Sequence, residues 1–219
     1  NKSNGGIFFM KKFNIGWGLT NLCNMNCQFC YSKETREKGK DVSIVDWKNF
    51  VDENHEQIDS INYGTGENAI LDDFFYFIEY VRKNYNLATK KEDTFIAGYS
   101  MGGYGAQHIA FQFPQTFSAC AGLSSAIIQH SLKPLKPGED NSVANYDYYY
   151  TIFGELSKID TNDMDLEFQV KQLKEKGIPL PRIYCACGTE DFLLNENRAM
   201  HAFYEKEGIA HEYLESTGT

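Results

Sequence analysis

Apolar positions along the chain fall into short blocks that alternate between a period near two and a period near 3.6. Residues 13–20 read as a strand. Residues 43–57 read as a helix capped by Ser43, with Asp46 three residues on in the place usually held by Glu. A short strand at 60–63 runs into Gly64, Thr65 and Gly66, which break the pattern. Phe74, Phe77, Ile78, Val81 and Tyr85 then recur at helical spacing through 71–85. The opening is therefore βαβα. Residues 94–97 form a β-type apolar run, and a glycine-rich turn leads from it into a helix that reaches Phe113, just before Pro114. Residues 117–123 and 182–187 predict buried strands. Helices are expected at 167–176 and 195–207, the second closed by Gly208, and a last strand at 212–215, with His211 ahead of it. Residues 133–151, rich in Pro, Asn, Asp and Tyr, predict a long surface excursion with little regular structure, of the kind that covers a pocket. Strands separated by helices throughout define an α/β fold, an open and mainly parallel sheet with flanking helices. Its better-formed part is expected after Leu71, with the strand before Cys23 at or beyond an edge.

Composition narrows the functional classes. The 219 residues with 42% hydrophobic content suffice for a buried core, and length alone favours one compact domain. A net charge of −9, with lysines scattered among acids, argues against a nucleic-acid partner. No apolar run is long enough to span a bilayer, and residues 7–10 are too few for a signal-peptide core, so a cytoplasmic protein without a membrane partner is expected. Six cysteines do not form a disulfide framework here, because three are clustered and Cys185 and Cys187 lie in a strand-like run. The chain opens on Asn1 and stops at Gly218-Thr219 directly after a strand, which is expected of a fragment at both ends.

Cys23, Cys27 and Cys30 stand in the stretch LTNLCNMNCQFCYS. This spacing puts three thiolates on one loop, enough to hold three irons of a [4Fe–4S] cluster and leave the fourth open. A zinc site would need a fourth Cys or His nearby, and none is close in sequence. The stretch, with Leu19-Thr20-Asn21 before it and Phe29 before the last cysteine, resembles the radical S-adenosylmethionine enzymes of the peptide-maturase type. Gly64, Thr65, Gly66 and Glu67 resemble that family's glycine-rich strand end. The resemblance implies a [4Fe–4S] cluster on the three cysteines, S-adenosylmethionine contacted by Phe29 and residues 64–67, and a peptide substrate. It covers residues 1–75, an incomplete βαβα segment of the barrel such enzymes use.

Gly98, Ser100 and Gly102 stand in FIAGYSMGGYGA, with an apolar strand before them and a helix of small residues after. A nucleophile at a sharp strand-to-helix turn needs this arrangement, since bulk at either flanking position would collide with neighbouring backbone. The backbone N–H of Met101, at the helix N-terminus, would form half of an oxyanion hole. Residues 76–219 resemble the α/β-hydrolase esterases of the tributyrin-esterase and S-formylglutathione-hydrolase type. The run from Ile183 to Phe192 is similar to the strand and loop that deliver those enzymes' triad acid, which implies that Asp191 orients the base. The same resemblance implies hydrolysis of a small-molecule acyl ester without a cofactor, and a histidine directly after the Gly218-Thr219 pair. His108, His201 and His211 are expected to be structural or exposed. With that histidine and the strands before the elbow absent from the sequence, activity is expected to be impaired. The two resemblances change hands within residues 71–85, through either a natural fusion or a composite of fragments.

Overall fold

The computed structural model describes residues 12–17, 20–23, 41–63, 71–141 and 144–218. The chain forms two compact units, Asn1–Leu87 and Ala88–Thr219, where length alone favoured one.

In the first unit, β1 (Phe13–Trp17) and β2 (Ile58–Tyr63) pair in parallel, with Ile15 opposite Ile61. Between them in sequence lies α1 (Ile44–Asn54), and α2 (Asp72–Asn84) follows β2. Ser43 caps α1 as its sequence predicts: its hydroxyl accepts from the Asp46 N–H at 3.2 Å and donates to the Asp46 carboxylate at 2.7 Å. Trp47 and Val51 on α1 and Phe77 and Val81 on α2, each pair four residues apart, make the buried stripe. Trp47 meets Phe77 edge-on, with ring centres 5.6 Å apart. Asp52 fastens the two helices by accepting from the hydroxyls of Tyr80 and Tyr85. These bonds hold its carboxyl below the usual range; desolvation, with the bond to Asp52 adding to it, pushes the Tyr85 phenol up to about 12.

The second unit is a four-stranded parallel sheet in the order β3 (Phe95–Tyr99), β4 (Ala119–Leu123), β5 (Arg182–Gly188), β6 (His211–Ser216). Cys120, Ile183 and Cys185 point from it to one face. There they pack against α3 (Met101–Gln112), α6 (Leu166–Glu175) and α7 (Leu194–Glu207) through Ala110, Phe111, Val170, Met200, Phe203 and Tyr204. Burial pushes the Cys120 and Cys185 thiols up to about 12. Gly208 ends α7 in the left-handed conformation, φ 69°, as expected. His211 opens β6 instead of preceding it.

Residues 133–151 correct the sequence reading. After the short α4 (Gln129–Leu132), Asn145 accepts from the Tyr148 N–H and starts α5 (Tyr146–Phe153). Tyr149 and Phe153 are buried with Leu132, Leu156 and Ile159 in a second small core. The Asn cap and the i, i+4 aromatic pair were visible in the sequence, but the flanking Pro, Asn and Asp masked them. None of the described helices is long and apolar enough to cross a membrane.

Candidate active site

Ser100 lies between the last residue of β3 and the first of α3, with φ 57° and ψ −120°. A non-glycine residue there is strained, and the conformation persists only where surrounding bonds determine it. Four do. The Ser100 N–H donates to the Leu123 carbonyl at 2.9 Å, and the Ser100 carbonyl accepts from Ala126, Gly103 and Tyr104 at 2.9, 3.0 and 3.2 Å. Leu123 at the end of β4 and Ala126 just past it thus hold the two backbone groups of the turn, together with the first turn of α3.

The two motif glycines do different work, which corrects the expectation that bulk at either would collide. A Cβ on Gly98 would stand 2.0 Å from the Gly102 carbonyl oxygen. A Cβ on Gly102 would meet nothing within 4 Å. The second close approach falls instead at Gly103, where a Cβ would stand 2.6 Å from the Ser125 hydroxyl and 3.0 Å from the Leu123 carbonyl. Met101 is the first residue of the twelve-residue α3, so its N–H has no acceptor within the helix. That N–H is aligned with the positive end of the helix dipole.

Asp191 follows β5 by three residues and is buried at 9% exposure. Its carboxylate accepts from the Leu193 N–H at 2.8 Å, and its N–H donates to the Gly188 carbonyl at 3.2 Å. The strand next to it holds this loop in place: Thr189 N–H donates to the Ser216 carbonyl at 2.8 Å and Glu190 N–H to the Gly218 carbonyl at 2.9 Å. The elbow, the acid loop and the residues just past β6 therefore lie at the C-terminal ends of parallel strands, where α/β sheets place their ligands.

All five histidines have other partners. His55 Nδ1 is 3.1 Å from the Asp52 carbonyl, His108 Nδ1 is 3.2 Å from the Gln169 side-chain oxygen, and His201 Nδ1 is 2.7 Å from His211 Nε2. His130 Nε2 lies 3.4 Å from Asp165 and 3.7 Å from Glu167. Burial holds His108 below the ordinary histidine range.

Of the cysteine cluster, Cys23 is described and is half-buried. Asp41 orders the approach to it, accepting from the Asn21 N–H at 2.6 Å and the Thr20 hydroxyl at 3.2 Å. Cys27, Cys30, Phe29, Gly64, Thr65, Gly66 and Glu67 lie outside the described residues. Among the described residues no three His, Cys, Asp or Glu side chains gather as a metal site. Three cysteines at this spacing in the sequence have the donor chemistry of an iron–sulfur cluster, and the described Cys23 is the first of them.

Sequence reasoning missed the buried polar residues beside the elbow, Gln107, Ser125 and Asn197. For Gln107 and Asn197 the signal was a polar residue on an apolar helical stripe, as with Asn197 three residues before Met200; Ser125, between β4 and the next helix, gave none.

Residues 77–211 match the model of a family described as putative esterase, which is more than half of the chain. The chain belongs to the putative esterase family. Residues 17–111 match the radical SAM superfamily, so the two matches overlap from Phe77 in α2 through β3 and most of α3. An acetyl esterase of Caldicellulosiruptor saccharolyticus is 39% identical to this esterase-family chain over 141 residues, 64% of this chain and 53% of the relative. The chain thus spans about half the length of that curated relative. Among solved structures, the fluorophosphonate-binding serine hydrolase F of Staphylococcus aureus aligns with a TM-score of 0.57 and 20% identity over 99% of this chain and 79% of its own. An S-formylglutathione hydrolase from the same organism gives 0.55 and 18%, over 98% and 80%. At these identities the likeness is one of fold, and the fold is α/β.

Proposed function

We propose that residues 76–219 carry a serine ester hydrolase centre in which Ser100 is the nucleophile, the Met101 N–H an oxyanion donor and Asp191 the acid that orients the base. The observation that carries this reading is the strained Ser100 turn, held by Leu123 and Ala126, at the C-terminal end of the parallel strand β3. Ser100 Oγ attacks the acyl carbonyl as its proton passes to an imidazole. The Met101 N–H stabilises the oxyanion, the imidazole returns the proton to the leaving alcohol, and water then releases the acyl group by the same route. The position that suits the imidazole is the turn directly after β6, because the Gly218 carbonyl is already bonded to the acid loop. Short-chain acyl esters, acylated sugars or thioesters are the proposed substrates, in keeping with the name of the acetyl esterase relative. The buried thiols Cys120, Cys185 and Cys187 suit a reducing, cytoplasmic setting.

The test is p-nitrophenyl acetate hydrolysis by this chain, by a chain extended with one histidine after Thr219, and by Ser100→Ala of each. The extended chain is expected to gain about 10²- to 10⁴-fold, all of it dependent on Ser100. A gain that survives Ser100→Ala would remove the reading. An equally fast, Ser100-dependent rate without the added histidine would mean that one of the five histidines is the base.

A second reading is favoured by the radical SAM match. In it residues 1–75 hold a [4Fe–4S] cluster through Cys23, Cys27 and Cys30, with S-adenosylmethionine near Phe29 and residues 64–67 and a peptide as substrate. The cofactor pair supplies radical chemistry when bound; this chain's part is to present the three thiols.

A further inference from the structure

The segment that grips Ser100 is itself held by a buried side chain from another element. Asn197, on α7 and 3% exposed, accepts from the Ser125 N–H through Oδ1 at 3.1 Å. Through Nδ2 it donates to the Ser125 carbonyl at 2.9 Å and to the Leu193 carbonyl at 2.8 Å. Leu193 gives its own N–H to the Asp191 carboxylate. One residue beyond Ser125, the Ala126 N–H donates to the Ser100 carbonyl. A single amide therefore joins the residue that orients the acid to the segment that fixes the serine.

A second arm comes from α3. The Ser125 hydroxyl lies 3.1 Å from Gln107 Nε2, which donates to it, and Gln107 Oε1 accepts from the Tyr204 hydroxyl at 2.8 Å. Gln107, Ser125 and Tyr204 are all fully buried. Two glycines make room for the assembly. A Cβ on Gly122 would stand 2.4 Å from both Gln107 Nε2 and the Ser125 hydroxyl, and one on Gly103 would stand 2.6 Å from that hydroxyl. Buried polar groups are tolerated only when satisfied, and an apolar core of the same volume is no less stable. What a satisfied network adds is a fixed geometry.

We propose that Asn197 is a positioning residue that locks the serine turn and the acid loop into one frame through the backbone of Ser125. This rests on the reading of Ser100 and Asp191 as nucleophile and acid. Removing the amide frees the two loops to move separately. Displacements of about 1 Å at a reacting centre cost on the order of 10²-fold in rate.

The experiment uses the full chain and its histidine-extended form, with Asn197→Ala, the isosteric Asn197→Asp in case the first fails to fold, and Val170→Ala as a buried apolar control. Amide hydrogen exchange is read at Leu193 and Ala126 against Cys120 and Ile183 in the sheet, and kcat and KM are measured with p-nitrophenyl acetate. Either Asn197 variant is expected to speed exchange at Leu193 and Ala126 by about tenfold relative to the sheet amides. It is also expected to lower kcat on the order of 10²-fold with KM nearly unchanged. Val170→Ala should lower the melting temperature and leave kcat alone. Unchanged exchange at both amides in the Asn197 variants would overturn the proposal, as would an equal fall in kcat in Val170→Ala. If Ser100→Ala retains the wild-type rate, the hydrolase reading falls and the positioning role with it. If Ser100→Ala is inactive while Asn197→Ala keeps full kcat, the positioning role alone fails.

Discussion

The two glycines that flank Ser100 make opposite predictions. In Gly98→Ala the new methyl would stand 2.0 Å from the Gly102 carbonyl oxygen and 2.9 Å from the Gly103 nitrogen, both of them backbone atoms that cannot swing aside. Relief requires α3 to back away from β3, at the upper end of the penalty for overpacking, about 3 kcal/mol. In Gly102→Ala the methyl meets nothing within 4 Å and sits in the first turn of α3. Replacing a helical glycine by alanine there stabilises by about 0.5–1 kcal/mol. At about 4 °C per kcal/mol for a domain of this size, the first variant should melt about 12 °C lower and the second about 2–4 °C higher. Both tryptophans, Trp17 and Trp47, belong to the first unit, so tryptophan fluorescence would follow the wrong transition. Scanning calorimetry, with hydrogen exchange at β4 and β5 to assign the transition, reads the right one. Equal destabilisation by the two substitutions would refute the reasoning, because it would mean that α3 and β3 do not meet at Gly98 alone.

Ser100→Gly should abolish hydrolysis and raise the calorimetric midpoint, since glycine relieves a strain of about 1 kcal/mol or more at φ 57°; a lower midpoint would show that the turn is unstrained. Glu215 is gripped by both nitrogens of the Arg198 fork at 2.7 Å, which holds its carboxyl at about 2. Its contribution to stability is therefore complete above the unfolded carboxylate value near 4.3, and it is lost as the pH falls toward 2. The melting gap between wild type and Glu215→Gln should be steady from pH 6 to 8 and close below about pH 4; a gap that persists at the acid end would contradict this. Cys120 and Cys185, with thiols near 12, should resist alkylation by iodoacetamide in the native chain at pH 8 and react once it is unfolded, as mass spectrometry would show. Anaerobic reconstitution with iron and sulfide should give broad visible absorption that disappears when Cys23, Cys27 and Cys30 are all changed to Ala; equal iron uptake by the triple variant would remove the ligand set.

Local chemistry made most of the elements legible. Ser43 with Asp46, Gly208 at φ 69° and the apolar spacing of Phe77 and Val81 each signal a boundary or a buried face through contacts within a few residues, so sequence displays them directly. The strained turn at Ser100 was legible for the same reason, since Gly98 two residues before the serine marks the close approach within that turn. What stayed hidden depends on residues far apart in sequence. Gly103 matters because of Ser125, and Asn197 because it meets Ser125 across 72 positions. Residues 133–151 were misread because polar composition was weighed above a cap and an aromatic pair.

The strand order also explains how the second unit brings the proposed nucleophile and acid together from separated stretches of chain. With β3, β4, β5 and β6 adjacent in sequence order and all parallel, the elbow, the segment Leu123 to Ala126, the acid loop and the residues past β6 succeed one another along one edge of the sheet. Backbone bonds tie neighbouring strand ends together: Ser100 to Leu123 and Ala126, Ser124 to Ala186 of β5 at 2.7 Å, and Glu190 of the acid loop to Gly218. Ser124 has φ 42°, so the link between the serine and the acid passes through a second strained residue. Strain at two neighbouring strand ends is tolerated only where packing determines both, and here Asn197 and Gln107 close on Ser125, the residue next to that second strain. Relaxing Ser124 with glycine should therefore leave the frame intact, whereas cutting the amide of Asn197 should not. A Ser124→Gly variant that lost as much kcat as Asn197→Ala would locate the frame in the strand end instead of the amide.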